Sequence, residues 1–291
     1  MTQFQKALKK YRETVDAKVD DFCAKLDCRP RVLREGMIYS LKSGGKRVRP
    51  IMVLACADML GVEQERVLDL ALAIELIHTY SLIHDDLPEM DNDDFRRGRP
   101  SNHAVFGPGN ALLAGDGLLN SAYGIMLKVC NEDQTALAAA NWICEAAGIY
   151  GMIGGQSADL LHENDSCRDE QILDFIYSNK TGKLITAACV TPCLMGGGYF
   201  LEMNTYGERL GKLFQLTDDI LDVEGSREEI GKTPGKDAKE GKYTAVSLYG
   251  LDNSKKKVLS LQQDCLDALE GIDRDTWFFR ELANYIAGRT N

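Results

Sequence analysis

Two short acidic clusters contain the residues of this chain that are best suited to metal chemistry. The first lies in HDDLPEMDNDDFRR, residues 84–97, where Asp85, Asp86 and Asp91 directly follow a strongly apolar segment. Carboxylates at the carboxyl end of a helix oppose the helix dipole, so this placement is unfavourable unless a cation compensates it. Pro88 cannot continue the helical hydrogen bonds, and Asp91 is therefore expected to fold back toward Asp85. Hard carboxylate oxygens grouped in this way suit Mg²⁺.

The second acidic cluster lies in FQLTDDILD, residues 214–222. Asp218 and Asp222 are four residues apart and share one helical face, with Asp219 beside them and Gln215 one turn earlier. A single cluster of this kind is as often a solvated helix face as a ligand site. Because two such clusters occur on apolar helices, the sequence predicts one divalent-metal site shared between them.

Cationic residues alternate with these acidic clusters along the chain. Lys46 and Arg49 follow two glycines in GGKRVRP, and Arg96 and Arg97 follow the first acidic cluster. Three lysines lie in the segments SNKTGK, GKTPGKD and EGKYT: Lys180, Lys232 and Lys242. Arginine and lysine are the usual side chains that hold phosphate oxygens, and their alternation with carboxylates predicts recognition of a diphosphate together with Mg²⁺. GGKRVRP is not a P-loop, because it lacks the G-x-x-x-x-G-K-[ST] pattern.

Helices are expected to position both clusters. Residues 67–83 are apolar on most of two faces, as a buried central helix would be. Seven further segments favour a period of 3.6 residues: 109–130, 134–150, 168–179, 182–196, 200–223, 254–270 and 275–288. No run alternates in the manner of a strand, and no linker divides the chain. The sequence therefore predicts one all-α domain over residues 1–291, built from ten or more helices.

The composition narrows the classes of partner. The net charge of −10 over 291 residues disfavours binding of nucleic acid or of an anionic membrane through a basic face. The nine cysteines form no C-x-x-C pair, which is typical of reduced thiols in an intracellular protein. The charged N-terminus does not resemble a signal peptide, and no stretch approaches the ~20 apolar residues that span a bilayer. We therefore predict a cytoplasmic protein without a membrane span.

The chain resembles the short-chain trans-isoprenyl diphosphate synthases, or polyprenyl synthetases, and among them bacterial farnesyl diphosphate synthase. The family's D-D-x-x-x-x-D motif is matched by Asp85, Asp86 and Asp91, and its D-D-x-x-D motif by Asp218, Asp219 and Asp222. Further matching segments are GGKRVRP, ELIHTYSLIHDD, RRGRP, GMIGGQSADL, KTG, FQLTDD and GKTPGKD, in family order over about residues 42–250. The resemblance implies an isoprenoid synthase helical bundle with a large central cavity, and a homodimer paired through central helices.

Carried over residue by residue, the resemblance implies two groups of binding residues. The diphosphate of isopentenyl diphosphate would be bound by Lys46, Arg49, His78 and Arg97, and the allylic diphosphate by Arg96. The six motif aspartates would hold three Mg²⁺ ions bridging the allylic diphosphate: Asp85, Asp86, Asp91, Asp218, Asp219 and Asp222. A histidine on an apolar helix is more often a satisfied core residue, so the role of His78 rests on the resemblance.

The implied reaction is the head-to-tail condensation of isopentenyl diphosphate with dimethylallyl and then geranyl diphosphate, which gives trans-farnesyl diphosphate and pyrophosphate. Charge on the leaving pyrophosphate would be neutralised by Lys180, Lys232 and Lys242. The developing allylic cation would be faced by Thr181 and Gln215. The chain ends with one basic residue, Arg289, where the family often carries a basic tail that helps to close the site.

Product length in this family depends on bulk near the first acidic cluster. Tyr80 lies five residues before Asp85 and Ser81 four before it, and the larger Tyr80 resembles the floor of synthases that stop at fifteen carbons. On an ideal helix Ser81 is ~40° from Asp85 and Tyr80 ~140° away, so the floor role rests on resemblance and not on geometry. His84 and His103 are expected to be packing or helix-end residues.

Three alternative functions remain open from the sequence. The first is a synthase that stops at geranyl or geranylgeranyl diphosphate. The second is a class I terpene cyclase, which needs no second diphosphate site and so leaves the set Lys46, Arg49, His78 and Arg97 unexplained. The third is a non-catalytic subunit that modulates a partner synthase, against which both aspartate motifs are complete.

Overall fold

Helices make up nearly all the regular structure in the computed structural model, which describes residues 1–163, 169–224 and 241–290. In chain order the α-helices are α1 (Gln3–Lys25), α2 (Arg31–Leu41), α3 (Val48–Leu60), α4 (Gln64–Asp85), α5 (Asn102–Phe106), α6 (Pro108–Glu132), α7 (Ala136–Ala147), α8 (Met152–Leu161), α9 (Glu170–Ile176), α10 (Lys183–Pro192), α11 (Phe200–Glu224), α12 (Ala245–Tyr249), α13 (Leu251–Ala268) and α14 (Trp277–Ala287). The all-α fold predicted from the helical periodicity is confirmed.

The core is built around α4 and α11, the two helices that carry the acidic clusters. Helix α4 packs against α3, α6 and α10, and α11 packs against α10 and α13. A helix with neighbours on several sides must be apolar nearly all round, which explains why α4 buries Leu70, Ile74 and Ile77 as well as Leu72 and Leu76. Rigid packing of these helices fixes the positions from which the aspartates project.

The first acidic cluster begins where α4 ends, at Asp85. Beyond Pro88 the chain turns back, and the backbone nitrogen of Asp91 donates a hydrogen bond of 2.8 Å to the carbonyl oxygen of Asp85. The predicted return of Asp91 toward Asp85 is therefore confirmed. The turn therefore brings the backbone of Asp91, the last aspartate of the motif, next to that of Asp85, the first.

A short antiparallel pair of strands follows this turn, and the expectation of no strands was wrong here. Strand β1 (Phe95–Arg96) pairs with β2 (Arg99–Pro100), with Arg96 opposite Arg99. The connecting residues Arg97 and Gly98 have φ angles of 54° and 75°. Positive φ at both central residues is the geometry of a tight hairpin turn. Strands of two residues are too short to produce an alternating pattern in the sequence, so the hairpin could not be predicted from it. The hairpin sets Arg96 and Arg97 beside the first acidic cluster.

Two π-helical turns occur near the ends of helices that the periodicity predicted over residues 168–179 and 182–196. The turn Tyr177–Gly182 joins α9 to α10, and the turn Cys193–Gly197 follows Pro192. A π-helical turn inserts an extra residue and redirects the side chains around it, and such turns are frequent at functional sites. The first of the two contains Lys180 and Thr181.

Two segments, Gln64–Asp85 and Ala136–Leu161, have the length and mean hydropathy of a membrane span, although the sequence was expected to contain no apolar stretch of that length. The first is α4, and 67% of its most apolar window is buried inside the fold, as in any apolar core helix. The second is 44% buried and contains the break between α7 and α8. Packing within the bundle therefore accounts for the apolar character of α4.

Candidate functional site

A cavity of about 1020 Å³ lies between the helices that carry the two acidic clusters. Residues from α3, α4, α8, the first π-helical turn and α11 contribute to its wall. The residues predicted from the sequence that line it are Lys46, Arg49, His78, Tyr80, Ser81, Asp85, Asp91, Arg96, Arg97, Lys180, Thr181, Gln215, Asp218, Asp219 and Lys242. Residues distant in the sequence are thus brought to one open cavity of a size that suits an organic ligand.

Two of the predicted residues that the structure describes lie outside the main cavity wall. Asp86 is 2% exposed and borders a separate, smaller cavity, where it accepts a hydrogen bond of 2.9 Å from Nε of Arg96. Asp222 is also 2% exposed, and it is not part of the main cavity wall formed by the described residues. Lys232 lies outside the described residues.

The first acidic cluster is a set of carboxylates in unequal electrostatic environments. Desolvation raises the pKa of Asp85 to about 6, although the nearby Lys180 acts in the opposite direction. Burial also opposes ionisation of Asp91, but Lys242, whose Nζ lies 3.0 Å from Asp91 Oδ1, and Lys180 together lower the pKa of Asp91. Negative charge in the cluster is therefore balanced by lysines from distant segments of the chain.

The first π-helical turn directs Lys180 into this region. Its Nζ lies 2.5 Å from Oδ2 of Asp159 on α8. Burial opposes the charged form of Lys180, but Asp159 and Asp85 raise its pKa, so the side chain is an ammonium ion. The close approach of α8 depends on Gly155, because a Cβ at that position would lie 2.1 Å from the backbone nitrogen of Lys180. Asp159 is a site residue that the sequence analysis missed, although it stands in the matching segment GMIGGQSADL.

The segment GGKRVRP enters α3 through a turn of positive φ angles. Gly44 and Gly45 have φ angles of 83° and 126°, and Arg47 has a φ of 51°. A Cβ on Gly45 would lie within 2.7 Å of the Arg97 guanidinium, so glycine is required for that approach. Arg97 donates a hydrogen bond to the carbonyl of Gly44. The hairpin and this segment are thus joined directly.

Lys46, Arg47 and Arg49 all border the cavity, but Arg47 is engaged in a buried ion pair. Nη1 of Arg47 donates a hydrogen bond of 2.7 Å to Oε1 of Glu75, and the two side chains are 3% and 1% exposed. Nη1 of Arg49 lies 3.5 Å from Nε2 of His78. Burial, together with Arg49 and other arginines, lowers the pKa of His78 well below its usual range, so its imidazole is neutral. We call the wall formed by Lys46, Arg49, Arg97 and His78 the cationic surface. Its one neutral member is the His78 ring, which can form hydrogen bonds.

The second acidic cluster contributes residues with distinct partners. Oδ1 of Asp218 lies 2.9 Å from Nη1 of Arg289, near the C-terminus. Gln215 accepts a hydrogen bond of 2.7 Å from the hydroxyl of Thr181 and donates one of 3.1 Å to Oδ1 of Asp219. Thr181 and Gln215 are thus hydrogen-bonded to each other, and Gln215 connects the pair to the acidic cluster on α11.

The residues fit a metal ion that arrives together with a phosphate-bearing ligand. Within residues 1–163, 169–224 and 241–290, no three acidic, histidine or cysteine side chains converge into a complete metal-binding group. Asp85, Asp91 and Asp218 nevertheless present carboxylates to the same cavity. Mg²⁺ is usually held through one or two carboxylates plus substrate phosphates and not by a protein cage, so the donor set suits that ion.

Below the acidic cluster, aromatic side chains border the cavity. The Tyr80 ring packs edge-on against the His84 ring with centroids 5.5 Å apart, and Tyr80 is 6% exposed. His84 was expected only to pack or end the helix, yet it also lines the cavity. Nε2 of His84 lies 3.0 Å from the carbonyl oxygen of Leu112 on α6. The cavity wraps around α4 far enough to reach Tyr80 as well as Ser81.

Comparison with known proteins is consistent with this geometry. The polyprenyl synthetase family model matches residues 30–271. The chain is 38% identical over 284 residues to the farnesyl diphosphate synthase of Bacillus subtilis, a match that covers 96% of this chain and 95% of that protein. It is 41% identical over 272 residues to the chloroplastic heterodimeric geranylgeranyl pyrophosphate synthase large subunit 1 of Arabidopsis thaliana, covering 90% of this chain and 73% of that protein.

A solved structure shares the fold over nearly the whole length. The geranyltransferase of Helicobacter pylori, complexed with magnesium and isoprenyl diphosphate, matches with a TM-score of 0.81 and 29% identity. The match covers 97% of this chain and 96% of that one. The chain therefore belongs to the polyprenyl synthetase family of trans-prenyl diphosphate synthases.

Proposed function

We propose that the protein is a Mg²⁺-dependent farnesyl diphosphate synthase, which condenses isopentenyl diphosphate with dimethylallyl and then geranyl diphosphate. The observation that carries this proposal is the shared cavity, whose wall includes aspartates of both motifs and the cationic surface around Arg49 and His78. A cyclase would need only one diphosphate site. The cationic surface is a candidate diphosphate site in addition to the one at the aspartates, and it therefore supports an enzyme with two diphosphate substrates.

In this proposal the cationic surface binds isopentenyl diphosphate. Lys46, Arg49 and Arg97 supply charge for the phosphate oxygens. His78 is neutral because of its burial and its arginine neighbours, so it orients by hydrogen bonding and adds no charge. Arg47 is ion-paired with the buried Glu75, so it holds the turn that carries Lys46 and does not bind phosphate in this proposal.

The acidic walls hold the allylic diphosphate. Three Mg²⁺ ions would be held by the motif aspartates, chiefly by Asp85, Asp91 and Asp218 on the cavity wall. The other three motif aspartates are only 2–3% exposed and would support the site around these ions: Asp86, Asp219 and Asp222. Bound Mg²⁺ supplies neutralising charge for the departing pyrophosphate. Arg96 reaches the same region from the hairpin, and Lys180, Lys242 and Lys232 add positive charge as the bond to the leaving group breaks.

The remaining residues protect and direct the allylic cation. Thr181 and Gln215 line the cavity and present oxygen atoms near the lysines that receive the leaving group. Apolar residues of α4 and α8 keep water away from the cation, which would otherwise be hydrolysed. The double bond of isopentenyl diphosphate then attacks it, and a proton is lost.

Chain length in the proposal is set at fifteen carbons by Tyr80. Its ring is held against His84 and contributes to the cavity wall, which supports a floor at that level. The next residue of α4, the smaller Ser81, also borders the cavity. The Arabidopsis relative named as a geranylgeranyl synthase supports the twenty-carbon product as the second candidate.

The proposal also includes one domain over the whole chain, a cytoplasmic location and a homodimer. Helix α6 exposes Leu112, Leu113 and Leu127 to 45%, 56% and 67%, and a second copy of the chain would cover such an apolar face. Light scattering at working concentration is expected to give the mass of a dimer. A monomer under those conditions would remove the dimer from the proposal.

Product analysis tests the proposed reaction. Purified protein is incubated with isopentenyl diphosphate, Mg²⁺ and either dimethylallyl or geranyl diphosphate, and the dephosphorylated alcohols are resolved by chromatography. Farnesol is expected as the main alcohol, and Tyr80→Ala is expected to shift the products to longer alcohols. Geranylgeraniol from the unaltered protein would retain the reaction and reject the floor. No condensation would favour a cyclase or a modulating subunit.

Substitution of the motif aspartates tests the metal assignment in the same assay. Asp85→Ala and Asp218→Ala are each expected to abolish turnover while the protein stays folded, because each removes a carboxylate from the cavity wall. Glu132→Ala is the matched control, since Glu132 is an exposed acid at the end of α6 in an i,i+4 pair with Lys128. Near-normal activity of either aspartate variant would contradict the assignment.

A further inference from the structure

The second aspartate of the D-D-x-x-D motif is surrounded by hydrogen-bond donors from the protein itself. Asp219 is 3% exposed. Its Oδ2 accepts hydrogen bonds from the hydroxyl of Tyr177 and, at 2.7 Å, from the backbone nitrogen of Ala245. Its Oδ1 accepts a hydrogen bond of 3.1 Å from Nε2 of Gln215. Both oxygens of this carboxylate are therefore bound to protein donors, one of which is a main-chain amide.

The bond to Gln215 determines how the neighbouring hydroxyl is oriented. A carboxylate only accepts hydrogen bonds, so the NH₂ group of Gln215 must face Asp219. The carbonyl oxygen of Gln215 then faces Thr181, which donates its hydroxyl proton to it at 2.7 Å. Because the proton of Thr181 is used in this way, its oxygen lone pairs remain available to the cavity. The carboxylate of Asp219 therefore determines which groups of Gln215 and Thr181 donate and which accept.

The bond to Ala245 anchors a second part of the site. Ala245 is the first residue of α12, and Lys242 precedes it by three residues. Lys242 reaches across to Asp91 with an Nζ–Oδ1 distance of 3.0 Å. The amide of Ala245 also lies 2.8 Å from the Tyr177 hydroxyl, so both members of the Tyr177–Asp219 pair hold this segment. Release of Ala245 would leave Lys242 free to move away from the acidic cluster.

We propose that Asp219 is a positioning residue, paired with Tyr177, that orients the Gln215–Thr181 hydrogen bond and anchors the segment carrying Lys242, and that it is not a direct metal ligand. The effect on turnover rests on the proposed function, whereas the anchoring of the segment does not. Both Asp218 and Asp219 border the cavity, but the Asp218 side chain is 38% exposed whereas Asp219 is 3% exposed, so Asp218 is the member of this pair that is accessible to a metal ion.

Three variants separate the two roles. Tyr177→Phe removes only the hydroxyl, Asp219→Asn removes the charge and one acceptor, and the third variant combines both changes. Each single change is expected to lower kcat about tenfold, because a hydrogen bond to a charged group is lost. The KM values and the affinity for Mg²⁺, titrated calorimetrically with inorganic pyrophosphate, are expected to stay within about twofold. The double variant should be no slower than the slower single variant, as for residues acting as a unit.

A measurement without substrates tests the anchor independently of activity. Hydrogen exchange at the Ala245 amide is expected to accelerate in both single variants, because its acceptors are removed or weakened. Tyr249→Phe is the matched control, because Tyr249 lies in the same helix α12 as Ala245. Its hydroxyl donates a hydrogen bond of 2.7 Å to the exposed Glu170, outside that helix. This variant should leave exchange at Ala245 and kcat unchanged.

The outcomes are distinguishable. A loss of Mg²⁺ affinity of about tenfold or more in Asp219→Asn, with normal exchange at Ala245, would make Asp219 a metal ligand and overturn the proposal. Normal kcat and normal exchange in Tyr177→Phe would also overturn it, and that variant covers the case in which Asp219→Asn fails to fold. If the unaltered protein shows no condensation, the proposed function fails, and the exchange experiment still decides whether the anchor exists.

Discussion

Substitution of Glu75 by glutamine tests the buried ion pair behind the cationic surface. Glu75 and Arg47 are 1% and 3% exposed, and the Arg47 Nη1–Glu75 Oε1 distance is 2.7 Å. The rest of the guanidinium is bound to Asp16, 3.0 Å from Nε, and to the carbonyl of Leu41. Because Arg47 stands between Lys46 and the start of α3, this pair holds the turn from which the cationic surface is built.

The magnitude follows from the burial of both partners. Removal of one partner from a buried ion pair typically costs ~3–5 kcal/mol, because the other charge remains without compensation. Glutamine retains a hydrogen-bond acceptor for Nη1, and Asp16 still faces Nε, so we expect a loss in the free energy of unfolding near the lower limit, ~3 kcal/mol. In the proposed enzyme, the loosened turn should raise KM for isopentenyl diphosphate more than KM for the allylic substrate.

Urea denaturation with linear extrapolation measures the loss, and steady-state kinetics measures the two KM values. Glu35→Gln is the matched control, because Glu35 pairs with Arg31 in an i,i+4 geometry with the two side chains 42% and 84% exposed. Exposed helix pairs of this kind contribute only ~0.3–0.5 kcal/mol. A loss below ~1 kcal/mol for Glu75→Gln, with unchanged KM values, would refute the claim that this pair holds the turn.

Three further predictions concern packing, the C-terminus and pH. Gly155→Ala places a Cβ 2.1 Å from the backbone nitrogen of Lys180, so it should lower the free energy of unfolding by about 2 kcal/mol in urea denaturation and also lower kcat. The control Gly124→Ala, whose Cβ would have no atom within 4 Å, should not destabilise the protein. Arg289→Ala removes a cation from Asp218, so calorimetry should show about fivefold tighter Mg²⁺–pyrophosphate binding; weaker binding would mean that Arg289 closes over the bound diphosphate. Desolvation raises the pKa of Asp85 to about 6, and only its ionised carboxylate binds a cation. The affinity for Mg²⁺ with pyrophosphate, measured by the same calorimetry, should therefore fall as the pH decreases through about 6, and a constant affinity from pH 5 to 8 would contradict this.

Much of the fold was predictable because it depends on neighbours in the sequence. A period of 3.6 residues fixes which side chains share one helix face, and this is why α4 and α11 were recognisable with their acidic ends. Pro88 likewise predicted the return of Asp91 toward Asp85, since the loss of a backbone donor is a local effect. The hairpin and the π-helical turns were not predicted, because each depends on one or two residues whose backbone angles are selected by packing.

The sequence by itself determined which residues could do the chemistry, namely two sets of carboxylates with arginines and lysines between them. Only the tertiary structure decided the partners of those residues. Asp86 lies against Arg96, Asp219 against Tyr177, and Lys242 against Asp91, 151 positions away in the chain. Spacing fixes the face of a single helix, but the face that it meets depends on how all the helices pack together, and no local pattern contains that information.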